Sequence, residues 1–117
     1  MRTPDVELLW WEGCPSTERA LGELREALAD VGLEDAEVRV REIETDAQAA
    51  DVGFVGSPTI LIDGHDVVPA AEDESIGLSC RVYRSRDGAI SPTPDPDDLR
   101  EALQRAAERE LPQEVPR

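Results

Sequence analysis

The sequence lacks lysine and asparagine altogether, and its 117 residues include one histidine and two cysteines. Without lysine, neither Schiff-base chemistry nor the lysine of a phosphate-binding P-loop is available. Because His65 stands alone, a histidine cluster for a catalytic metal is excluded and a serine-type catalytic triad is disfavoured. We therefore expect no metal ion and no bound cofactor. Two cysteines are also too few for a disulfide-stapled secreted scaffold.

Long apolar runs are missing as well, since no stretch approaches the ~18 apolar residues that span a bilayer. Residues 1–7 lack the apolar core of a secretory signal. The chain carries 12 basic and 27 acidic side chains, giving a net charge of −15. This charge repels nucleic-acid phosphates and anionic lipid, so no nucleic-acid or membrane partner is expected. We expect a cytoplasmic, bacterial protein whose cysteines are reduced at rest.

The composition is typical of a globular protein, with 39% hydrophobic and 33% charged residues. The length predicts a single domain over residues 1–112, followed by a frayed tail at 113–117. Apolar periodicity predicts the order strand, helix, strand, helix, strand, strand, irregular segment, helix. Three prolines, at positions 92, 94 and 96, are expected to exclude regular structure just before the last helix. The fold class is therefore α/β, with a mixed sheet of about four strands flanked by helices.

Cys14 is the sharpest chemical feature, because it stands directly before Pro15 and an amphipathic helix pattern. Unpaired N–H groups and the positive dipole end of a helix favour thiolate over thiol. The position therefore predicts a nucleophilic cysteine, the alternative being a small buried apolar side chain. Trp11, at the end of the preceding strand, is expected either to flank Cys14 or to pack in the core.

A second motif is the run Gly53-Phe-Val-Gly-Ser-Pro-Thr59, which leads directly into an apolar strand. Proline after a small residue at a strand entry is a candidate for a cis peptide bond. Together, this run and the Cys14-Pro15 helix start resemble the thioredoxin-like family, especially its glutaredoxin-like Gly-Cys-Pro variant. The resemblance covers roughly residues 5–68 and, more loosely, the last helix. It implies a thioredoxin-like fold.

The resemblance also implies roles for particular residues. Pro58 would be the cis-proline beside the reactive cysteine, and Ser57 would offer backbone groups to a bound peptide or thiol. Thr17 stands where dithiol members of the family carry their second cysteine, so dithiol chemistry through that motif is excluded. Thr17 is instead expected to hydrogen-bond the Cys14 sulfur or to act as a helix-start hydroxyl.

Cys80 lies in Gly77-Leu-Ser-Cys-Arg-Val-Tyr83 and is either a buried structural residue or the partner of Cys14. Arg81 would lower the pKa of Cys80 if the two side chains approached each other. This run also resembles small bacterial thioredoxin-like proteins called alkylmercury lyase-like. That resemblance implies that Cys14 and Cys80 hold mercury, but no acid can be assigned because Thr17 occupies its place.

The leading functional hypothesis is a thiol-dependent redox protein with Cys14 as nucleophile, a thiol oxidoreductase or thiol transferase if it is an enzyme. Its partner would be a thiol or disulfide substrate, and the mixed disulfide would be resolved by Cys80 or by a low-molecular-weight thiol. One alternative is a protein that handles soft metals or organomercurials through both cysteines. Another is a non-catalytic thioredoxin-like binding module.

Overall fold

A computed structural model of the chain describes residues 3–69 and 75–108. The predicted tail at 113–117 lies outside the described residues. The elements are, in chain order, β1 (Val6–Trp10), α1 (Thr17–Asp30), β2 (Val38–Glu42), α2 (Asp46–Val52), β3 (Thr59–Ile62), β4 (His65–Asp66), β5 (Tyr83–Arg84), β6 (Ile90–Ser91) and α3 (Pro96–Glu108). Within the described part of the chain, no helix is long and apolar enough to cross a membrane.

The predicted order of elements is confirmed, with two differences after β4. In place of an irregular segment, β5 and β6 pair as a short antiparallel ribbon. The last helix also begins at Pro96 itself rather than after the proline-rich stretch. Proline is tolerated there because the first N–H groups of a helix have no intrahelical partner.

The main sheet has four strands in the order β2-β1-β3-β4. The central strand β1 runs parallel to β2 and antiparallel to β3, and β3 forms a hairpin with β4. Neighbouring residues of β1 face opposite sides of the sheet, and Leu8 and Leu9 are both buried. A strand buried on both sides requires a core on each face of the sheet.

The larger core lies between one face of the sheet and helices α1 and α3, which pack against each other. Its buried members are Val6, Leu8, Ala20, Leu24, Ala27, Leu28, Leu33, Ile60, Ile62, Leu99, Leu103, Ala106 and Ala107. The smaller core, with one residue from α2, consists of Leu9, Ile43, Ala49 and Phe54. The structure is therefore a mixed α/β fold in which β1 carries the chain to the start of α1 and β3 begins beside it.

Local signals explain how α2 delivers the chain to β3. Thr45 caps the helix by accepting a hydrogen bond from the backbone N–H of Gln48 at 3.1 Å. Gly53 ends it in the left-handed region, with φ of 68°. The backbone N–H of Phe54 then donates to the carbonyl of Ala49, and the Phe54 ring enters the smaller core. The following residues are thereby directed toward the entry of β3.

Candidate active site: two cysteines from distant segments

Cys14 lies in the short loop between β1 and α1. Its backbone N–H donates to the carbonyl of Trp11 at 3.1 Å, which closes a tight turn. Ser16 is the N-cap position of α1, but its hydroxyl makes no capping hydrogen bond. The Cys14 side chain is buried, with 5% of its surface exposed, and its thiol donates to the carbonyl of Ser57 at 3.4 Å. The turn and the helix start therefore direct the sulfur inward, toward the entry of β3.

The Ser57–Pro58 peptide bond is cis, as the sequence predicts. Ser57 is completely buried, and the neighbouring Thr59 hydroxyl donates to the carbonyl of Gly56 at 2.6 Å. Since β3 pairs with β1 in antiparallel register, the residues before β3 lie where β1 ends. This pairing brings Ser57 and Pro58 to the loop that holds Cys14.

Cys80 is carried to the same place by a short extended segment that pairs with Ser57. The backbone N–H of Ser57 donates to the carbonyl of Ser79, and the N–H of Arg81 donates to the carbonyl of Ser57, both at 2.8 Å. These bonds form a parallel bridge between Ser57 and Cys80. Cys80 therefore lies beside Ser57, whose carbonyl also accepts from the Cys14 thiol, and the Cys80 thiol helps to lower the pKa of Cys14. Both backbone groups of Ser57 are thus engaged by the chain itself rather than open to a peptide.

The Arg81 side chain anchors the segment that carries Cys80. Its guanidinium is buried and donates to Asp66 at 2.7 Å, to the Thr59 hydroxyl at 3.3 Å and to the carbonyl of Val68 at 2.5 Å. It also lies over the ring of Tyr83, 4.7 Å from its centroid. Arg81 was expected to lower the pKa of Cys80 only if the two side chains approached each other; the guanidinium is instead paired with Asp66, and the pKa of Cys80 is raised.

Tyr83 provides a second anchor two residues further on. Its hydroxyl donates to the carbonyl of Pro58 at 2.5 Å. In an extended segment alternate side chains point to opposite sides. Arg81 and Tyr83 accordingly point inward and are buried, whereas Cys80 and Val82 point outward and are exposed. The inward pair holds the segment against the entry of β3, so that Cys80 is presented at the surface.

The pKa values of the two thiols are shifted in opposite directions. Burial raises the pKa of Cys14, but hydrogen bonds from Cys80, Ser16 and Ser57 outweigh it and hold the pKa below its ordinary value. The hydrogen bond to Cys14, together with burial and the nearby Cys14 charge, raises the pKa of Cys80 to about 11. Ionising Cys80 would remove a donor from the Cys14 thiolate and place two negative charges side by side. The arrangement therefore favours one thiolate, at Cys14, next to one thiol.

Two serine residues act on Cys14: Ser16, which the sequence did not single out, and Ser57, which it assigned only to substrate binding. Ser16 stabilises its thiolate through both backbone and side chain, and Ser57 contributes its side chain. Ser16 could have been noticed as the residue at the N-cap of α1. Thr17, to which this role was assigned, has a buried hydroxyl without a hydrogen-bond partner among the described residues. Of the two roles expected for Thr17, the structure supports the position at the helix start, since α1 begins there.

Trp11 is half-buried and packs against the smaller core, next to residues such as Phe54. Its ring also covers Gly13 so closely that a Cβ at that position would lie 2.4 Å from the indole. A side chain at this position would therefore require the tryptophan ring to move. Trp11 therefore packs against the smaller core, which is one of its two expected placements, and its ring lies against the residue before Cys14.

His65 lies exposed in the β3–β4 hairpin, where its neighbour Asp66 pairs with Arg81. Among the residues that the structure describes, no group of three or more histidine, cysteine and acidic side chains is arranged to hold a metal ion. Comparisons of the chain with protein-family models, with curated proteins and with solved structures return no match. The chemistry that this site offers is therefore that of two sulfurs and their surroundings.

Proposed function

We propose that this chain is a thioredoxin-like thiol–disulfide exchange protein whose redox pair is Cys14 and Cys80. The observation that carries the proposal is that both cysteines, from segments far apart in the sequence, meet at Ser57: its carbonyl accepts from the Cys14 thiol, and its backbone pairs with the segment of Cys80. The mixed sheet, the cis Pro58 and the helix-start cysteine support the thioredoxin-like assignment. In this proposal Cys80 takes the place of the second cysteine that Thr17 replaces in the local motif.

The overall exchange balances without any further redox partner. A disulfide R–S–S–R accepts two electrons and two protons from the paired thiols, giving two R–SH and a Cys14–Cys80 disulfide. The reaction runs in reverse when R–SH is in excess. The lowered pKa of Cys14 suits this chemistry because the thiolate is the form that attacks a disulfide and the form that leaves one.

The experiment is oxidation of the reduced protein with 2-hydroxyethyl disulfide, followed by non-reducing peptide mapping and mass spectrometry. We expect one intramolecular link between the Cys14 and Cys80 peptides and release of two equivalents of 2-mercaptoethanol. The matched variants C14S and C80S should release less thiol and should form only a mixed disulfide. Independent adducts on both cysteines of the wild-type protein, without a link, would overturn the proposal.

A second function, soft-metal binding, is favoured by the same juxtaposition of sulfurs. A thiolate beside a thiol can bind a soft cation such as Hg²⁺ or an alkylmercury ion, and the thiol proton is released on binding. Among the described residues, no carboxyl group is a main cause of the pKa shift of either cysteine, so we expect binding without protonation of a leaving carbon. Titration with methylmercury should give one bound equivalent and no methane. Binding of equal strength in C80S would contradict a two-sulfur site.

The non-catalytic binding module requires an inert Cys14. Burial of Cys14 agrees with that alternative, but its lowered pKa and its contact with a second thiol favour chemistry at the sulfur. The occupied backbone of Ser57 also removes the groups through which a peptide would bind in such a module. Exchange is therefore the function that the geometry supports best.

A further inference from the structure

The two sulfurs of the pair differ sharply in access. Cys14 has 5% of its surface exposed, and its thiol donates to the carbonyl of Ser57, the residue with which the segment of Cys80 pairs. Cys80 itself is exposed. Attack on a disulfide sulfur requires an open approach to that sulfur, so access decides which atom of a pair can exchange with solvent species. A molecule arriving from solvent meets Cys80 first.

The segment that carries Cys80, residues 79–83, is held in place from several sides. Both backbone groups of Ser57 pair with it, and the inward side chains of Arg81 and Tyr83 bind Asp66 and the Pro58 carbonyl. The backbone of Gly56 packs so closely that an added Cβ would lie 2.9 Å from the Arg81 Cβ and 3.0 Å from its backbone nitrogen. These contacts hold residues 79–83 against Ser57 beside the buried Cys14, since moving the segment away would break a partly buried ion pair and several hydrogen bonds together.

We propose that substrates exchange at the Cys80 sulfur rather than at Cys14, and that the substrate class is low-molecular-weight thiols and their disulfides. This inference rests on the proposed function, because it concerns the same cysteine pair. The size restriction follows from Ser57, whose N–H and carbonyl are already bonded to Ser79 and Arg81. An extended peptide therefore gains no backbone pairing beside the site, and only the exposed sulfur is offered to it.

Reduction of the Cys14–Cys80 disulfide takes two steps. A thiolate R–S⁻ attacks Cys80 Sγ of the Cys14–Cys80 disulfide, forming R–S–S–Cys80 as the Cys14 sulfur leaves as a thiolate. A second R–S⁻ then attacks the sulfur of R in this mixed disulfide, releasing R–S–S–R and the Cys80 thiolate, which takes a proton from water. The acidic thiol is the better leaving group, and Cys14 is the more acidic of the two. The reverse reaction passes through the same mixed disulfide.

The first experiment locates the mixed disulfide. The wild-type protein in its disulfide form is mixed with 2-mercaptoethanol, quenched in acid within the first turnover, denatured, alkylated and mapped by mass spectrometry. We expect the 2-mercaptoethanol adduct on Cys80 and the alkyl group on Cys14. The opposite distribution would overturn this inference while leaving the exchange function intact, whereas failure to form or reduce the disulfide would contradict the proposed function itself.

A second measurement separates the effect of access to each sulfur from the effect of its thiol pKa. C14S and C80S each retain one thiol, and both are reacted with 2-hydroxyethyl disulfide across a pH series, so that each rate constant can be divided by its thiolate fraction. We expect the thiolate of Cys14 in C80S to react at least about tenfold more slowly than that of Cys80 in C14S, because access limits exchange. Equal rates per thiolate would overturn the inference.

The substrate class is tested with cysteine presented in compounds of increasing length. The disulfide form of the wild-type protein is reduced by N-acetylcysteine amide and by blocked neutral peptides with a central cysteine. We expect rate constants that agree once they are corrected for thiol pKa. Pairing with free backbone groups would instead accelerate the peptides by about fivefold for each hydrogen bond gained. Such an acceleration would contradict the restriction to small thiols.

Discussion

At the scale of single residues, the state of Cys14 depends on a buried hydroxyl. Ser57 is completely buried beside the Cys14 sulfur. Its hydroxyl oxygen has no hydrogen-bond partner among the described residues while Cys14 is a thiol. The Cys14 thiol donates to the Ser57 carbonyl, so the hydroxyl is left as a donor for the thiolate form. A buried polar atom without a partner costs stability. We interpret Ser57 as a residue that stabilises the ionised sulfur at the expense of the protein's stability.

Ser57→Ala is therefore expected to raise the pKa of Cys14 and to leave the free energy of unfolding unchanged or higher by up to about 1 kcal/mol. Because the pKa of Cys14 is lowered in the wild-type protein, its alkylation should increase with pH below the range of an ordinary thiol, and the variant's profile should move to higher pH. Iodoacetamide kinetics resolved by peptide mapping measure the profile, and urea unfolding measures the stability. An unchanged pH profile would show that the hydroxyl does not act on the sulfur.

At the scale of elements, the site depends on a close approach of two backbone segments. Gly56 has φ of 140°, which L side chains rarely adopt, and its position leaves no room for a Cβ against Arg81. Glycine thus allows the segment of residues 79–83 to pair with Ser57 and to bring Cys80 to Cys14. Gly22, exposed in helix α1, meets nothing within 4 Å of the position that its Cβ would take. The two glycines therefore differ in what they do for the fold.

Gly56→Ala should destabilise the protein by about 1–3 kcal/mol and slow formation of the Cys14–Cys80 disulfide, because the backbone would be strained and the segment displaced. The matched control, Gly22→Ala, should raise the free energy of unfolding by about 0.5–1 kcal/mol, since alanine favours the helix, and should leave disulfide formation unchanged. Urea unfolding and the rate of thiol release from 2-hydroxyethyl disulfide measure both effects. An unaffected disulfide rate in Gly56→Ala would show that the close approach is not needed.

At the scale of the whole molecule, the main electrostatic feature is the net charge of −15. Several exposed ion pairs, such as those of Arg86 with Asp98 and Glu101, oppose the repulsion locally. Exposed pairs contribute little to stability, whereas repulsion among an excess of like charges acts across the whole surface. Salt screens both, since the Debye length is about 10 Å at 0.1 M ionic strength.

We therefore expect the melting temperature to rise as sodium chloride is increased from about 0.01 to about 0.3 M, because self-repulsion is relieved. The same salt should speed reduction of the Cys14–Cys80 disulfide by an anionic thiol and slow it for a cationic thiol, while a neutral thiol serves as control. Calorimetry and stopped-flow kinetics measure the two responses. A falling melting temperature would mean that the surface ion pairs outweigh the repulsion.

Several features of this protein follow from the sequence because they depend on near neighbours in the chain. The order of strands and helices follows from apolar periodicity, the end of α2 from Gly53, and the cis bond from Ser57-Pro58 before an apolar strand. The position of Cys14 shortly before α1 follows in the same way, although the helix begins at Thr17 rather than at Pro15. These signals lie within a few residues of the feature that they predict, so the folded chain was not needed to find them.

The pairing of the cysteines was decided only by the tertiary structure. Cys80 reaches Cys14 because the segment that carries it pairs with Ser57, and no local pattern in residues 77–83 specifies that partner. The direction of Arg81, which binds Asp66 rather than Cys80, likewise follows from which side of an extended segment is buried. Contacts between distant segments depend on sheet register and burial. The sequence by itself therefore determined the elements and the position of Cys14 before α1, and the packing of those elements determined which segment pairs with Ser57 beside it.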